Sequence, residues 1–134
     1  MAGKSDYFER AVLDWALGGA APTRPTSRTV KLFTANPTDS GGGTEVSTGT
    51  WSNYAGVAAT FAAAATSTGT SSASNSADTD FGTATTTADV TLTGFGVYDH
   101  LGNLLYWAAF ATPQIVQNGN PVKFPAGSLV VTED

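Results

Sequence analysis

The chain carries one histidine, His100, next to Asp99, together with many serines. A Ser-His-Asp relay would have to run through that single imidazole, the one group able to take a proton from a serine near neutral pH. Asp99-His100-Leu101-Gly102-Asn103 is also what a hairpin turn requires: short polar side chains that bond their own backbone, and a glycine. Turn formation explains these residues without catalysis. Asp78-Thr79-Asp80 offers two carboxylates at alternate positions of an extended chain, the beginning of a calcium site. It has neither a third acid nearby nor calcium-loop spacing, so a solvated loop is expected. Asp89 and Asp99 could face each other as a glycoside-cleaving pair, but nothing in their spacing selects them. Gly41-Gly42-Gly43 leads into no helix and so makes no phosphate cradle. Trp15, Trp51, Trp107, Tyr54 and Tyr106 have faces on which sugars stack, although aromatic residues in strands ordinarily belong to core or interface. With no cysteine in the chain, thiolate chemistry, disulfides and zinc ribbons are excluded. The expectation is a protein that is not an enzyme, with no catalytic, cofactor-binding or metal-binding residue.

What the chain does show is an uneven distribution of charge. Its basic residues are Lys4, Arg10, Arg24, Arg28, Lys31 and Lys123, so the 91 residues from Leu32 to Val122 contain none. The first 31 residues hold five basic against three acidic side chains; the other 103 hold one against eight. A formal net charge of −5 argues against nucleic-acid binding. No apolar run reaches the ~18 residues of a membrane span. Asp6, Glu9 and Arg10 interrupt what would be the apolar heart of a signal peptide, which points to synthesis and assembly in a cytoplasm. Charged residues make up only 13% of the chain. So few charges among so much threonine suit sheets that meet other copies.

The elements that must position these residues begin with a helix over 6–17, with Asp6 as N-cap, Glu9 three residues on, and Gly18-Gly19 as the stop. Phe8, Ala11, Val12 and Trp15 fall on one face, whereas Leu13 and Leu17 leave the other side. One patch can lie on the protein's own sheet and the second on a neighbour, or both can be buried intramolecularly. Residues 20–28 hold Pro22, Pro25, Arg24 and Arg28 and read as an extended arm or plain connector. From Thr29 the period changes to two. Strands are expected over 29–35, 45–50 and 57–61, and the low-complexity stretch 62–77 is expected to hold a strand end, an exposed loop and then a strand around Asn75. A hairpin of 89–98 and 104–111, then short strands at 122–124 and 129–132, complete the pattern. The fold class is mainly β: an antiparallel β-sandwich, jelly-roll-like, with one N-terminal amphipathic helix. Two units are expected, residues 1–28 (helix and Pro/Arg arm) and 29–134 (sandwich).

Particular segments resemble a known group. They are Tyr7-Phe8-Glu9, Gly18-Gly19-Ala20-Ala21-Pro22-Thr23-Arg24-Pro25 and Lys31-Leu32-Phe33-Thr34-Ala35-Asn36-Pro37-Thr38-Asp39. Gly94-Phe95-Gly96-Val97-Tyr98-Asp99, Gly102-Asn103-Leu104-Leu105-Tyr106-Trp107 and Phe124-Pro125-Ala126-Gly127-Ser128-Leu129 follow in order. Together they are similar to small virion proteins of tailed phages, often labelled phage tail fibre protein and of the size expected for capsid decoration proteins. Asn120 stands where relatives carry an acid. The resemblance implies a virion structural role and no catalytic residue.

The leading expectation is a decoration, or cement, protein on the phage head, bound to the major capsid protein and self-associated as a homotrimer or homodimer. The alternative is a small tail-fibre, tail-tip or baseplate component bound to tail proteins, with aromatics near Trp51 or Tyr54 touching a host glycan. Under either reading Phe8, Leu13, Trp15 and Leu17 supply apolar contact, and Arg24, Arg28 and Lys31 supply charge.

Overall fold

The structure, a computed structural model, describes residues 2–133; Met1 and Asp134, the outer ends of the two expected units, lie outside them. The chain runs β1 (Ala2–Lys4), α1 (Asp6–Ala16), β2 (Thr29–Ala35), β3 (Thr44–Glu45), β4 (Val57–Ala58), β5 (Ala65–Ser67) and β6 (Thr70–Ser74). It continues through β7 (Thr79–Thr83), β8 (Val90–Tyr98), β9 (Leu104–Val116), β10 (Pro121–Phe124) and β11 (Val130–Glu133).

Strands β8 and β9 form the spine because their hairpin turn is satisfied locally. The Asp99 carboxylate accepts from the backbone N–H groups of Leu101 (2.9 Å) and Asn103 (2.8 Å) and from the Asn103 amide (2.9 Å). Burial works to raise the Asp99 pKa, but these donors outweigh it and hold the carboxyl below its ordinary value. Gly102 closes the turn at φ +85°. On the spine is built a sheet of order β1-β9-β8-β2-β3, with β4 also paired to β2 and all pairings antiparallel. A second layer holds two small antiparallel sheets, β10-β7 and β11-β6-β5.

Between the layers Val30, Leu32, Leu92 and Val97 of the large sheet share one core with Phe81, Val122, Leu129 and Val131. Aromatic contacts run through this core from Trp51 to Tyr54, Phe81, Phe124, Phe110 and Phe95, with successive centroids 5.5–6.2 Å apart. The Tyr54 hydroxyl accepts from Leu32 N–H and donates to Glu45, each at 2.9 Å. The architecture is the expected mainly β, antiparallel arrangement with one helix near the N-terminus.

Several local expectations are corrected. The helix cap is Ser5, not Asp6, and the helix ends at Ala16. The strand expected over 45–50 stops at Glu45, because residues 47–51 turn on bonds from Thr50 and Trp51 N–H to Ser47 O. The low-complexity stretch contains a hairpin, β5–β6, turning at Thr68 (φ +49°) and Gly69 (φ +88°). Asp78 is exposed as expected, but Thr79 begins strand β7 and is buried. Trp51 and Tyr54 are core residues, so a glycan platform at their rings is ruled out by burial.

Candidate functional site

The groups with catalytic potential are occupied by turns and surface pairs. Both Asp99 oxygens are used within the hairpin. Exposed His100 accepts the Thr26 N–H on Nδ1 at 3.3 Å. Asp89 meets the Gln117 amide at 3.4 Å, and Asp78 faces Lys123 at 3.6 Å and accepts Ala126 N–H at 3.1 Å. Among the described residues no three His, Cys, Asp or Glu side chains are grouped to hold a metal ion. Within those residues, surface chemistry is concentrated where the N-terminal segment meets the body.

Ser5 is the joint. Its N–H donates to Leu105 O at 2.9 Å, its hydroxyl donates to Leu104 O, and the same oxygen accepts Phe8 N–H at 3.2 Å. One buried serine thus caps the helix and pins it to β9. Asp6 N–H donates to Asp39 O at 2.8 Å, and the Asp39 carboxylate accepts the Trp107 indole N–H at 3.0 Å. The loop before β3 is thereby drawn against the helix start. There a cleft of about 450 Å³ opens, lined by Tyr7, Arg10, Asp39, Ser40 and Asn103 among others.

Phe8 meets Tyr106 edge-on, with centroids 5.5 Å apart and planes at 72°. Together with Pro25 and Arg28 these rings border an apolar hollow of about 230 Å³ over Val97 and Val131. Beyond Val12 the helix loses contact. No helical residue is fully buried, and Leu13, Trp15 and Leu17 are 58%, 60% and 81% exposed. The apolar face anticipated through Phe8, Ala11, Val12 and Trp15 is therefore half-covered as far as Val12, with Trp15 overhanging.

The seven residues expected to bind a partner separate into two sets. Leu13, Trp15, Leu17 and Arg24 lie on the surface of the overhang and arm. Phe8, Arg28 and Lys31 are engaged by the protein's own body. Lys31 reaches Glu45 at 3.4 Å and sits 4.8 Å from the Tyr98 ring centroid. Ser5 and Asp39 escaped the sequence reading. Serine three residues before Phe8 was a usable cap signal, whereas Asp39 offered none, since its role depends on Trp107.

A family model described as podophage GP4 fiber I protein gp80 matches residues 3–132. No curated protein matches the chain.

Proposed function

The chain belongs to the podophage GP4 fiber I protein gp80 family, and from that membership we propose that it is a non-enzymatic component of the phage tail, carried by its fibre or tail-tip assembly. That it is a virion structural protein of a bacteriophage follows from the family itself. The observation that carries the finer reading is the family's description as a fibre protein, which applies to both layers of the sandwich because the match runs from within β1 to within β11. This supports the tail alternative over head decoration, the leading expectation from sequence.

The role is adhesion. The attachment element is the overhang, where Leu13, Trp15 and Leu17 offer apolar area that water exclusion at an interface would reward. Arg24, exposed on the adjoining arm, adds a positive charge that speeds docking onto an acidic tail protein. The Thr-, Ser- and Ala-rich body then faces solvent or its neighbours, after assembly in the host cytoplasm. Quantitative mass spectrometry of purified virions, read with a cryo-EM map, tests the assignment. Between three and about a dozen copies, with density on the tail, are expected. Hundreds of copies on the head would overturn it in favour of decoration of the major capsid protein.

A further inference from the structure

The arm over residues 20–27 is fixed at both ends and nearly free between them. At one end Gly19 N–H donates to Asp14 O and closes helix α1. At the other, Ala59 N–H donates to Arg28 O at 3.0 Å, and Thr29 pairs with Ala58 and Tyr98. From Ala20 to Ser27 the one hydrogen bond among the described residues is Thr26 N–H to His100 Nδ1, at 3.3 Å.

Packing adds little to that bond. Pro22 and Pro25 are half-buried, and the other six residues of this stretch are exposed. Pro25 borders the apolar hollow of about 230 Å³, and Thr26, Ser27 and Arg28 line a second cleft of about 290 Å³ with Thr60 and Asp78. The arm therefore runs beside open space and is not wedged into the body. Its prolines fix φ and lack a donor, which keeps it extended without a ladder.

The acceptor in the one bond is titratable. A neutral imidazole accepts on one ring nitrogen and carries its proton on the other, so His100 holds Thr26 only with the proton on Nε2. An imidazolium carries protons on both nitrogens and accepts on neither. Protonated His100 would turn an Nδ1–H toward the Thr26 N–H, two donors face to face. Charge acts the same way, since Arg24 and Arg28 stand two residues either side of Thr26 and are repelled by an imidazolium. The other charged groups here are Asp99 in the turn, Lys31 and Glu45 at Tyr98, and Asp78, which faces Lys123. Asp99 uses both oxygens within its own turn and does not replace the lost acceptor.

We infer that the Thr26–His100 bond is a pH-sensitive latch: protonation of His100 frees residues 20–27 and uncovers the apolar hollow that Pro25 borders. The arm is held at neutral and alkaline pH. It is released as the pH falls through the range in which imidazole takes up a proton, about 6.5 for a free side chain. The device does not depend on where the protein sits on the virion.

His100 is the one histidine of the chain, so its ring signals in tag-free, full-length protein report its titration without overlap. Heteronuclear ¹H–¹⁵N NOEs of Ala21, Thr23, Arg24, Thr26 and Ser27 are compared at about pH 8 and about pH 5. On the same samples a neutral gadolinium chelate reads solvent access to the Val131 methyls. The NOEs should fall in acid with a midpoint that follows the His100 ring, and broadening of the Val131 signals should rise about twofold or more. His100→Asn keeps an acceptor oxygen as many bonds from the backbone as Nδ1, and that oxygen does not titrate, so the arm should stay ordered in acid. His100→Leu offers no acceptor, so the arm should be loose in acid and alkali alike. A wild-type arm equally ordered at both pH values, or a hollow no more accessible in acid, would overturn the inference. So would a His100→Leu arm as ordered as the wild type in alkali, or a His100→Asn arm that loosens in acid as the wild type does.

Discussion

Lys4 and Glu133, 129 positions apart, meet in an ion pair that ties the first strand of the chain to its last. The Tyr106 hydroxyl donates to the other Glu133 oxygen at 2.8 Å, so one carboxylate gathers β1, β9 and β11. The Lys4 bond is the main reason the Glu133 pKa is lowered; burial opposes the shift and Tyr106 adds to it. A carboxylate with a depressed folded-state pKa contributes stability that is present above its unfolded value and lost as pH falls through the folded one. Glu133 is substantially exposed, so solvent screening limits the effect to about 1 kcal/mol at most. Glu133→Gln should therefore lower Tm by about 2–4 °C at pH 7. The gap between wild type and variant should close as the pH is taken below the ordinary carboxylate range. Calorimetry across pH checks both; a gap that persists in acid would show that the carboxylate's charge is not its source.

Asn75 joins three parts of the second layer. Its buried amide donates to Ala77 O (2.9 Å), Pro125 O (3.0 Å) and Phe124 O (3.3 Å), and its oxygen accepts Leu129 N–H at 2.9 Å. Asn75→Ala removes the acceptor of the buried Leu129 N–H and the amide's bonds to Ala77 O and Phe124 O, whereas Pro125 O keeps its bonds from Ser128. The expected loss is about 2–4 kcal/mol in urea unfolding, with the β5–β6 hairpin first to lose hydrogen-exchange protection.

These contacts explain which parts of the fold could be read from sequence. Strands β2 and β8 and the first part of β9, to Ala111, were legible because alternation and the Asp99–Asn103 turn are local signals; the continuation of β9 through Pro113 to Val116 was not. The β5–β6 hairpin was not, since Thr, Ser and Ala show no inside-outside contrast; Thr68-Gly69 and the Asn75 anchor decide it. The sequence reading placed the helix cap at Asp6; Ser5, as good a cap by residue type, is selected by Leu104 O, 99 residues away. Strand β1 is too short to carry a pattern. Of the candidate surface, helical spacing put Leu13 and Leu17 on the side away from Phe8 but left open whether that side is covered. The overhang of Trp15 did not follow from it, because spacing says which face a residue occupies and not where the supporting sheet ends.

Gly94 marks the tightest approach in the large sheet. A Cβ there would lie 2.3 Å from Asn36 Oδ1 and 2.4 Å from Ala108 O, the second a backbone atom of the paired strand. Gly94→Ala should cost about 3 kcal/mol or more, because the β8–β9 ladder must spread. Gly127→Ala is the control: its Cβ would meet nothing within 4 Å, and only the φ of +84° opposes it. About 1 kcal/mol is expected there. Equal losses in denaturant unfolding would remove the steric account of Gly94.

Trp15 and Trp51 separate attachment from folding. Trp51 is completely buried and Trp107 nearly so, whereas Trp15 is 60% exposed. Acrylamide should quench chiefly the Trp15 component of the fluorescence, and Trp15→Phe should abolish most of that quenching. Truncating Trp51 to alanine opens a core cavity at a cost of about 3–5 kcal/mol. Replacing Leu13, Trp15 and Leu17 together by serine removes apolar side chains that little in the protein's own body covers. Stability should change by less than about 1 kcal/mol. Incorporation into virions, measured by complementation of a deletion phage, should fall at least tenfold, because the apolar contacts of the proposed interface are gone. A triple variant that incorporates normally would move the attachment surface to the body of the sandwich. One that unfolds would show that the overhang is covered by the protein's own body.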